Sequence, residues 1–237
     1  MKATGKLYLI PTVIADNTTN KVISTYVRET LKPIRFFLVE DIRTARRFLS
    51  SLSIFENIEQ LYFNTLDKNT AEADLPQLMS PLLKGKPIGI ISESGCPGVA
   101  DPGALAVRYA HQKGISVEPL VGPSSILLAL MASGLNGQRF SFNGYLPVEA
   151  QEATQAIKKL EGESRAKNQT QIFIETPYRN NSLVSHLLKS LNDETLLCIA
   201  VNITGESEMI KTQTIKAWKN TEITLPRQPA LFLFLAF

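Results

Sequence analysis

Short apolar runs alternate with amphipathic stretches through the first half of the chain. Five of these runs predict strands, at 7–10, 36–39, 61–63, 88–91 and 115–121. Patterns with helical spacing lie between them and predict helices at 21–31, 42–52, 71–83 and 101–112. Strands that alternate with helices indicate a largely parallel sheet covered by helices on both faces.

The second half has a different rhythm. It predicts strands at 140–142, 171–174, 196–201, 214–218 and 230–235, the last three able to form a meander. Helices are predicted at 126–132, at 149–160 and from Thr176 onward, with a turn at 144–147. Gly122 and Pro123 break the chain between the halves. We therefore expect two α/β domains, residues 1–120 with a mainly parallel sheet and residues 121–237 with a mixed one.

Composition is that of an ordinary globular protein. The chain has 237 residues, 44% of them hydrophobic and 20% charged, and its net charge of +3 is too small to indicate nucleic-acid binding by itself. No apolar run approaches the ~20 residues of a membrane helix, and the N-terminal run is too short for a signal peptide. Two distant cysteines and no C-x-x-C motif give no support for a disulfide framework or a metal site. We expect a cytoplasmic protein without a membrane span.

The segment 92–103, SESGCPGVADPG, is the most unusual part of the sequence. It follows a predicted buried strand directly, and ligands of open α/β sheets bind at the carboxyl ends of strands. Gly95 and Gly98 would let the backbone approach a ligand closely or adopt positive φ. The alternative is a loop that ends the strand and caps the next helix through Asp101.

Two further kinds of position could carry chemistry. Ser124 and Ser125 open a predicted helix, where they could bind a carboxylate or phosphate or simply act as N-caps. Acidic residues end two predicted strands, with an arginine nearby in each case: Glu40 and Asp41 with Arg43, and Glu175 with Arg179. Such carboxylates could contact a ligand, or they could cap helices and pair with the arginines.

Six collinear segments together resemble the tetrapyrrole-methylase superfamily, whose members use S-adenosylmethionine. They read LYLIPTVIADN, EDIR, IGIISESGCPGVADPG, VEPLVGPSS, RFSFNGYLP and IFIETPYR, at 7–17, 40–43, 88–103, 117–125, 139–147 and 172–179. The similarity is closest to the branch that methylates a ribose 2′-hydroxyl of small-subunit ribosomal RNA.

The resemblance implies two α/β domains with a cofactor cleft between them, a homodimer, and ribosomal RNA or the small ribosomal subunit as partner. The cofactor contacts that it implies are Ile14, Ser94, Gly95, Cys96, Val99, Ser124, Ser125, Glu175 and Ala230. A ribose hydroxyl is a poor nucleophile, so a nearby base would help to deprotonate it. Glu40, Asp41 and Glu175 are the candidates for this base, with Arg43 and Arg179 available for phosphate contacts. The catalytic set that we expect is Glu40, Asp41 and Arg43.

The sequence departs from the ribosomal branch in two places. Residues 13–17 lack the glycine-asparagine that the branch prefers, and 201–205 read VNITG where the branch has an Arg-Glu-Leu-Thr-Lys block. Both departures lie on the side expected to meet the acceptor. Two alternatives therefore stay open: methylation of a tetrapyrrole or another small acceptor, and a non-catalytic protein that binds the cofactor.

Overall fold

The computed structural model describes residues 5–237. Residue contacts divide the chain into a first unit that ends at Ser124 and a second unit, Ser125–Phe237. Each unit has its own five-stranded sheet and its own buried apolar cluster or clusters.

The sheet of the first unit is entirely parallel. Its strands are β1 (Leu7–Ile10), β2 (Phe36–Val39), β3 (Tyr62–Thr65), β4 (Ile88–Ile91) and β5 (Val117–Pro119), in the order β3-β2-β4-β1-β5. Alternate residues of β4 enter different apolar clusters, Ile88 and Ile90 one and Ile91 the other. Since successive side chains of a strand point to opposite faces, the sheet is covered on both, as the sequence predicts.

Two predicted helices of the first unit are broken in the structure. Its helices are α1 (Thr19–Val22), α2 (Thr25–Leu31), α3 (Ile42–Ser51), α4 (Leu75–Leu78), α5 (Ser80–Leu83) and α6 (Gly103–Gln112). The helix predicted at 21–31 is interrupted because Ser24 caps α2 by accepting a hydrogen bond from the Val27 N–H. The helix predicted at 71–83 is a 3₁₀ turn followed by two single turns, each with a proline near its start.

The sheet of the second unit is mixed. Its strands are β6 (Phe140–Tyr145), β7 (Thr170–Glu175), β8 (Leu196–Val201), β9 (Met209–Thr214) and β10 (Ala230–Leu235), in the order β6-β7-β10-β8-β9. Only the β6–β7 pair is parallel. The predicted meander is wrong, because the fully buried β10 lies between β7 and β8. The turn predicted at 144–147 is wrong as well, since β6 continues to Tyr145.

The helices of the second unit are α7 (Ser125–Ser133), α8 (Ala150–Lys167), α9 (Asn180–Ser190) and α10 (Ile215–Lys219). The strand predicted at 214–218 is therefore wrong. Thr214 instead caps α10 through the Ala217 N–H, and the buried indole of Trp218 donates to the Leu197 carbonyl. Helix α9 begins at Asn180 rather than at Thr176, because residues 176–179 form a turn closed by the Arg179 N–H. Among the helices of residues 5–237, none combines the length and apolarity needed to cross a bilayer.

Candidate functional site

The loop that follows β4 is held against the ends of two neighbouring strands. Gly95 has φ +71°, and its carbonyl accepts a hydrogen bond of 2.9 Å from the Thr12 N–H, just beyond β1. A Cβ built at Gly95 would lie 3.3 Å from the carbonyl oxygen of Pro123, which follows β5. The Cys96 thiol lies 3.3 Å from the same oxygen. The loop thus brings the segments after β1, β4 and β5 together, which is the edge where a parallel sheet binds ligands.

Internal hydrogen bonds fix the shape of this loop. The buried Ser92 hydroxyl donates toward the carbonyls of Ser94 and Gly95, at 3.2 and 3.4 Å. Asp101 Oδ1 accepts from the N–H groups of Gly98 and Gly103, at 2.8 and 2.6 Å. The Gly103 bond satisfies the first residue of α6, so Asp101 supports the helix as predicted, although α6 begins two residues later. Burial raises the pKa of Asp101, and the two hydrogen bonds oppose that rise.

Glu40 and Asp41 directly follow β2 but have different environments. Asp41 is exposed and caps α3, accepting a hydrogen bond of 2.6 Å from the Thr44 N–H that lowers its pKa. Glu40 is half-buried and accepts from the Glu93 N–H at 3.3 Å. Burial raises the pKa of Glu40, and the negative charges of Asp101, Glu93 and Asp67 add to that rise. Of this pair, Glu40 is therefore the carboxylate better suited to accept a proton near neutral pH.

A polar pocket of about 350 Å³ lies beside these residues. Its lining comes from the segment 12–19, from α3 and from Ser92 and Glu93. Ile14, a predicted cofactor contact, is part of this lining. Arg47 of α3 lines the pocket and is itself exposed, whereas Arg43, also exposed, does not line it.

A second pocket, about 490 Å³ and largely apolar, opens at the other end of the same loop. Its lining includes residues 96–99, Val107 of α6 and Leu120. Cys96 is half-buried and burial raises the pKa of its thiol, while Val99 exposes 52% of its surface and Ser94 is exposed. Predicted cofactor contacts thus border both of these pockets.

In the second unit, the predicted residues Glu175 and Ala230 are neighbours in the sheet. Ala230, the first residue of β10, pairs with Glu175 at the end of β7 and with Val201 at the end of β8. Glu175 is 4% exposed, and its carboxylate accepts from the Thr176 N–H and forms a 3.1 Å ion pair with Arg179. The sequence left open whether Glu175 contacts a ligand or pairs with Arg179, and the structure contains the ion pair. Of the two serines, Ser125 is the first residue of α7 and Ser124 precedes it.

Sequence reasoning missed several residues at these positions. Thr12 is 3% exposed, and its hydroxyl has no hydrogen-bond partner among residues 5–237. Tyr178 is 80% exposed, with the Arg227 guanidinium 5.5 Å from the centre of its ring. A threonine two residues after an apolar strand was a usable signal for the first. The contact between residues 178 and 227 had no such signal. No group of three His, Cys, Asp or Glu side chains within 5–237 is placed to hold a metal ion.

Comparisons with known proteins agree with this geometry. The family model of the tetrapyrrole (corrin/porphyrin) methylases matches residues 11–218. A ribosomal RNA small subunit methyltransferase I from Buchnera aphidicola subsp. Schizaphis graminum is 30% identical over 221 residues, covering 92% of this chain and 73% of the relative. The protein of that name from Escherichia coli O157:H7 is 31% identical over 217 residues, covering 91% and 67%.

A solved structure shows the same fold. The uroporphyrin-III-C-methyltransferase from Thermus thermophilus has a TM-score of 0.57 and 18% identity, covering 98% of this chain and 92% of its own. The predicted fold class of two α/β domains is confirmed. The chain is therefore a methyltransferase that belongs to the tetrapyrrole methylase family, in the branch that contains the ribosomal RNA small subunit methyltransferases I.

Proposed function

We propose that this chain uses S-adenosylmethionine to methylate a ribose 2′-hydroxyl of small-subunit ribosomal RNA. The observation that carries the proposal is the loop after β4, where Gly95 and Gly98 have φ of +71° and +81° beside the ends of β1 and β5. The relatives named as ribosomal RNA methyltransferases support the acceptor class.

The residues of the first unit fit the cofactor. The backbone of residues 94–96 and the hydroxyl of Ser124 offer hydrogen-bonding groups for its polar ends, and the apolar pocket at residues 96–99 has the size and character to take a purine ring. The cofactor, when bound, supplies a methyl group already activated on a sulfonium, so the chain mainly has to bind and orient. Ile14 and Val99 are proposed as apolar contacts. Ser125, Glu175 and Ala230 of the second unit remain predicted contacts.

On the acceptor side, the two carboxylates that directly follow β2 have separate roles in this proposal. Glu40 takes the proton of the ribose hydroxyl, because burial raises its pKa above the ordinary value for a glutamate and makes it the stronger base of the two. Asp41 is already committed to capping α3, where it fixes the start of the helix that carries Arg43. Arg43 is exposed and available to a phosphate of the RNA backbone.

An exposed pair in the second unit favours RNA as the acceptor. Proteins recognise single-stranded RNA by stacking bases on aromatic rings and guanidinium planes, and Tyr178 with Arg227 offers both at the surface. The departing segment 201–205 leads into a hydrogen-bonded turn, in which the Asn202 side chain donates to the Ser207 hydroxyl and the Thr204 N–H donates to Glu208. The Asn202 N–H donates to the Pro229 carbonyl, which ties the turn to the start of β10.

The test has two stages. Calorimetry with S-adenosylmethionine and with its demethylated product is expected to give one site per chain, and neither heat nor a thermal shift with both ligands would refute the cofactor assignment. Labelled methyl is then offered to small ribosomal subunits, to naked ribosomal RNA and to a porphyrinoid. We expect label in RNA, located on a ribose by nuclease digestion and mass spectrometry. Label in the porphyrinoid alone would refute the RNA acceptor.

We also propose a homodimer, with α7 in its interface. This helix is apolar almost throughout, yet Met131 is 78% and Leu127 50% exposed. A helix that is apolar on all sides normally has a partner surface. Light scattering at micromolar concentration should give a dimer for the wild type and for Gln155→Asp on α8, and a monomer for Met131→Asp. A monomeric wild type would contradict the proposal.

A further inference from the structure

The buried hydroxyl of Thr12 is the first of two unusual features of the polar pocket. Burying a hydroxyl without a hydrogen bond is unfavourable, and native proteins seldom leave such groups unpaired. Thr12 lines the pocket, and its Oγ1 has no partner among the described residues. A polar ligand in the pocket would supply that partner.

The second feature is the charge of Arg47. This arginine lines the pocket and makes no ion pair within residues 5–237. Its neighbour Arg46 behaves differently, because it pairs with Glu59 at 3.3 Å and lies over the ring of Phe63. The protein thus pairs Arg46, whereas the exposed Arg47 forms no ion pair among residues 5–237, not even with Asp16 and Glu93, the two carboxylates that also line the pocket. Arginine in this state suits a phosphate, which it can bind through two parallel hydrogen bonds.

Position links the pocket to the reaction. Glu93 lines it, and the Glu93 N–H donates to Glu40, the carboxylate proposed to accept the proton of the ribose. At about 350 Å³ the pocket has room for one nucleotide, and its surface is more polar than apolar.

We propose that this pocket receives a nucleotide of the acceptor RNA, with Arg47 on its phosphate and the Thr12 hydroxyl on its sugar. The inference rests on the proposed function, because it assumes that the acceptor is RNA. It assigns to Arg47 and Thr12 the selection of a phosphate-bearing acceptor over an uncharged one.

Removing the Thr12 hydroxyl separates a ligand-binding role from a structural one. Thr12→Val keeps the shape of the side chain and removes an unpaired buried hydroxyl, so the ligand-free protein should melt about 2 °C higher or more. At the same time the KM for RNA should rise about tenfold, the usual scale of one lost polar contact. Thr170→Val is the matched control, since the Thr170 hydroxyl is also buried but donates to the Asn136 carbonyl at 2.9 Å. It should melt lower and leave the KM for RNA unchanged.

Arg47→Ala tests the phosphate contact. The KM for RNA should rise about tenfold. The dependence of log affinity on log salt concentration should become shallower by about one, as for the loss of a single phosphate contact. Arg46→Ala removes the same charge from the paired face of α3 and should change the KM less than about twofold. The affinity for S-adenosylmethionine should be unchanged in all four variants.

The outcomes separate this inference from the proposed function. If the wild type methylates RNA and the Thr12→Val and Arg47→Ala variants do so with unchanged KM, the pocket assignment is wrong and the function stands. If Arg47→Ala weakens cofactor binding but not RNA binding, the pocket belongs to the cofactor and the inference is overturned. If the wild type binds cofactor but labels no RNA, binding of a mixed-sequence RNA tetranucleotide decides: loss of binding in both variants supports the inference, and no binding by the wild type refutes it.

Discussion

The two units differ in how they use particular buried polar groups. In the first unit the Thr12 hydroxyl has no hydrogen-bond partner among residues 5–237, Gly95 and Gly98 have positive φ, and burial raises the pKa of Glu40. In the second unit the Glu175 carboxylate is paired with Arg179. A second buried carboxylate there, Glu161, accepts hydrogen bonds from the Asn192 N–H, the Asn192 side chain and the Thr195 hydroxyl.

Sheet topology accounts for part of this difference. In an all-parallel sheet every strand ends at the same edge, so several loops with free backbone groups meet there. In the second sheet β10 runs antiparallel between β7 and β8, so the start of one strand lies beside the ends of two others. The comparison indicates that the first unit leaves the Thr12 hydroxyl for a ligand, while the second unit uses the carboxylates of Glu175 and Glu161 for stability. Unpaired buried atoms also occur in the second unit, at Asn180 Oδ1 and Gln213 Oε1. Such unsatisfied groups lower the stability of the free protein.

The largest expected effect is on stability, at Glu161. Glu161→Ala removes a buried carboxylate and leaves three donors without their acceptor, so the free energy of unfolding should fall by about 3 kcal/mol. Denaturant unfolding measures this. Glu163→Ala is the matched control two residues away, since Glu163 forms only a surface pair with Lys167 and should contribute less than about 0.5 kcal/mol. Equal losses of stability from the two substitutions would contradict the claim that the hydrogen bonds of Glu161 stabilise the second unit.

The next effect is on cofactor binding, at Gly95. Gly95→Val places a branched side chain at φ +71° close to the Pro123 carbonyl, and the affinity for S-adenosylmethionine should fall about 100-fold as the loop deforms. Gly114→Val is the control, because Gly114 has φ +66° with open space around it. Both variants should be destabilised by similar strain, but in calorimetry only Gly95→Val should lose the cofactor. Normal binding by Gly95→Val would make the loop a simple structural turn.

The smallest effect is the pH dependence of stability at Glu40. Burial raises the pKa of Glu40 in the folded state above its ordinary value of 4.5, so the folded state holds this proton to higher pH than the unfolded chain does. The stability that Glu40 contributes is fully present below about pH 4.5 and is lost as the pH rises through the pKa of the folded state. Glu40→Gln has no such loss, and its Tm relative to wild type should increase between pH 4 and pH 7.

Asp41→Asn should show the opposite sign in the same melting experiments. Hydrogen bonds from Thr44 lower the pKa of Asp41 below its ordinary value of 3.8. The stability that Asp41 contributes is therefore present above about pH 3.8 and is lost as the pH falls through the pKa of the folded state. The variant should melt lower than wild type at pH 7, with the difference shrinking in acid. If the Tm of the two variants changed with pH in parallel, the opposite pKa shifts assigned to Glu40 and Asp41 would be wrong.

The sequence predicts best where burial alone decides the structure. The runs at 36–39 and 88–91 become strands with the predicted bounds, because an apolar run between two layers of helix has no competing arrangement. Prediction from the sequence fails at 214–218, where β-branched and aromatic residues favour a strand. The Thr214 cap and the hydrogen bond of Trp218 to Leu197 override that preference, and the latter depends on a tertiary contact.

The candidate site shows the same division. Gly95, Gly98 and Asp101 could be identified from residue type and spacing, since glycine and capping chemistry are local. That Asp41 caps a helix while Glu40 is half-buried could not be read from two adjacent acids. Among residues 5–237 the Thr12 hydroxyl lacks a hydrogen-bond partner and Arg47 lacks an ion pair, and both depend on surroundings supplied by distant parts of the chain.

The central position of β10 has a consequence for synthesis. Phe232 pairs with Phe173 on one side and with Ile199 on the other. The sheet therefore cannot form completely until β10, its last strand in the sequence, has been translated. Until residues 230–235 arrive, β7 and β8 each present an unpaired edge, the kind of surface on which nascent chains aggregate. The parallel sheet of the first unit needs nothing beyond β5. We therefore expect the amino-terminal unit to fold while the rest is still being translated, and a ribosome stalled before Ala230 to hold a carboxy-terminal unit that depends on chaperones.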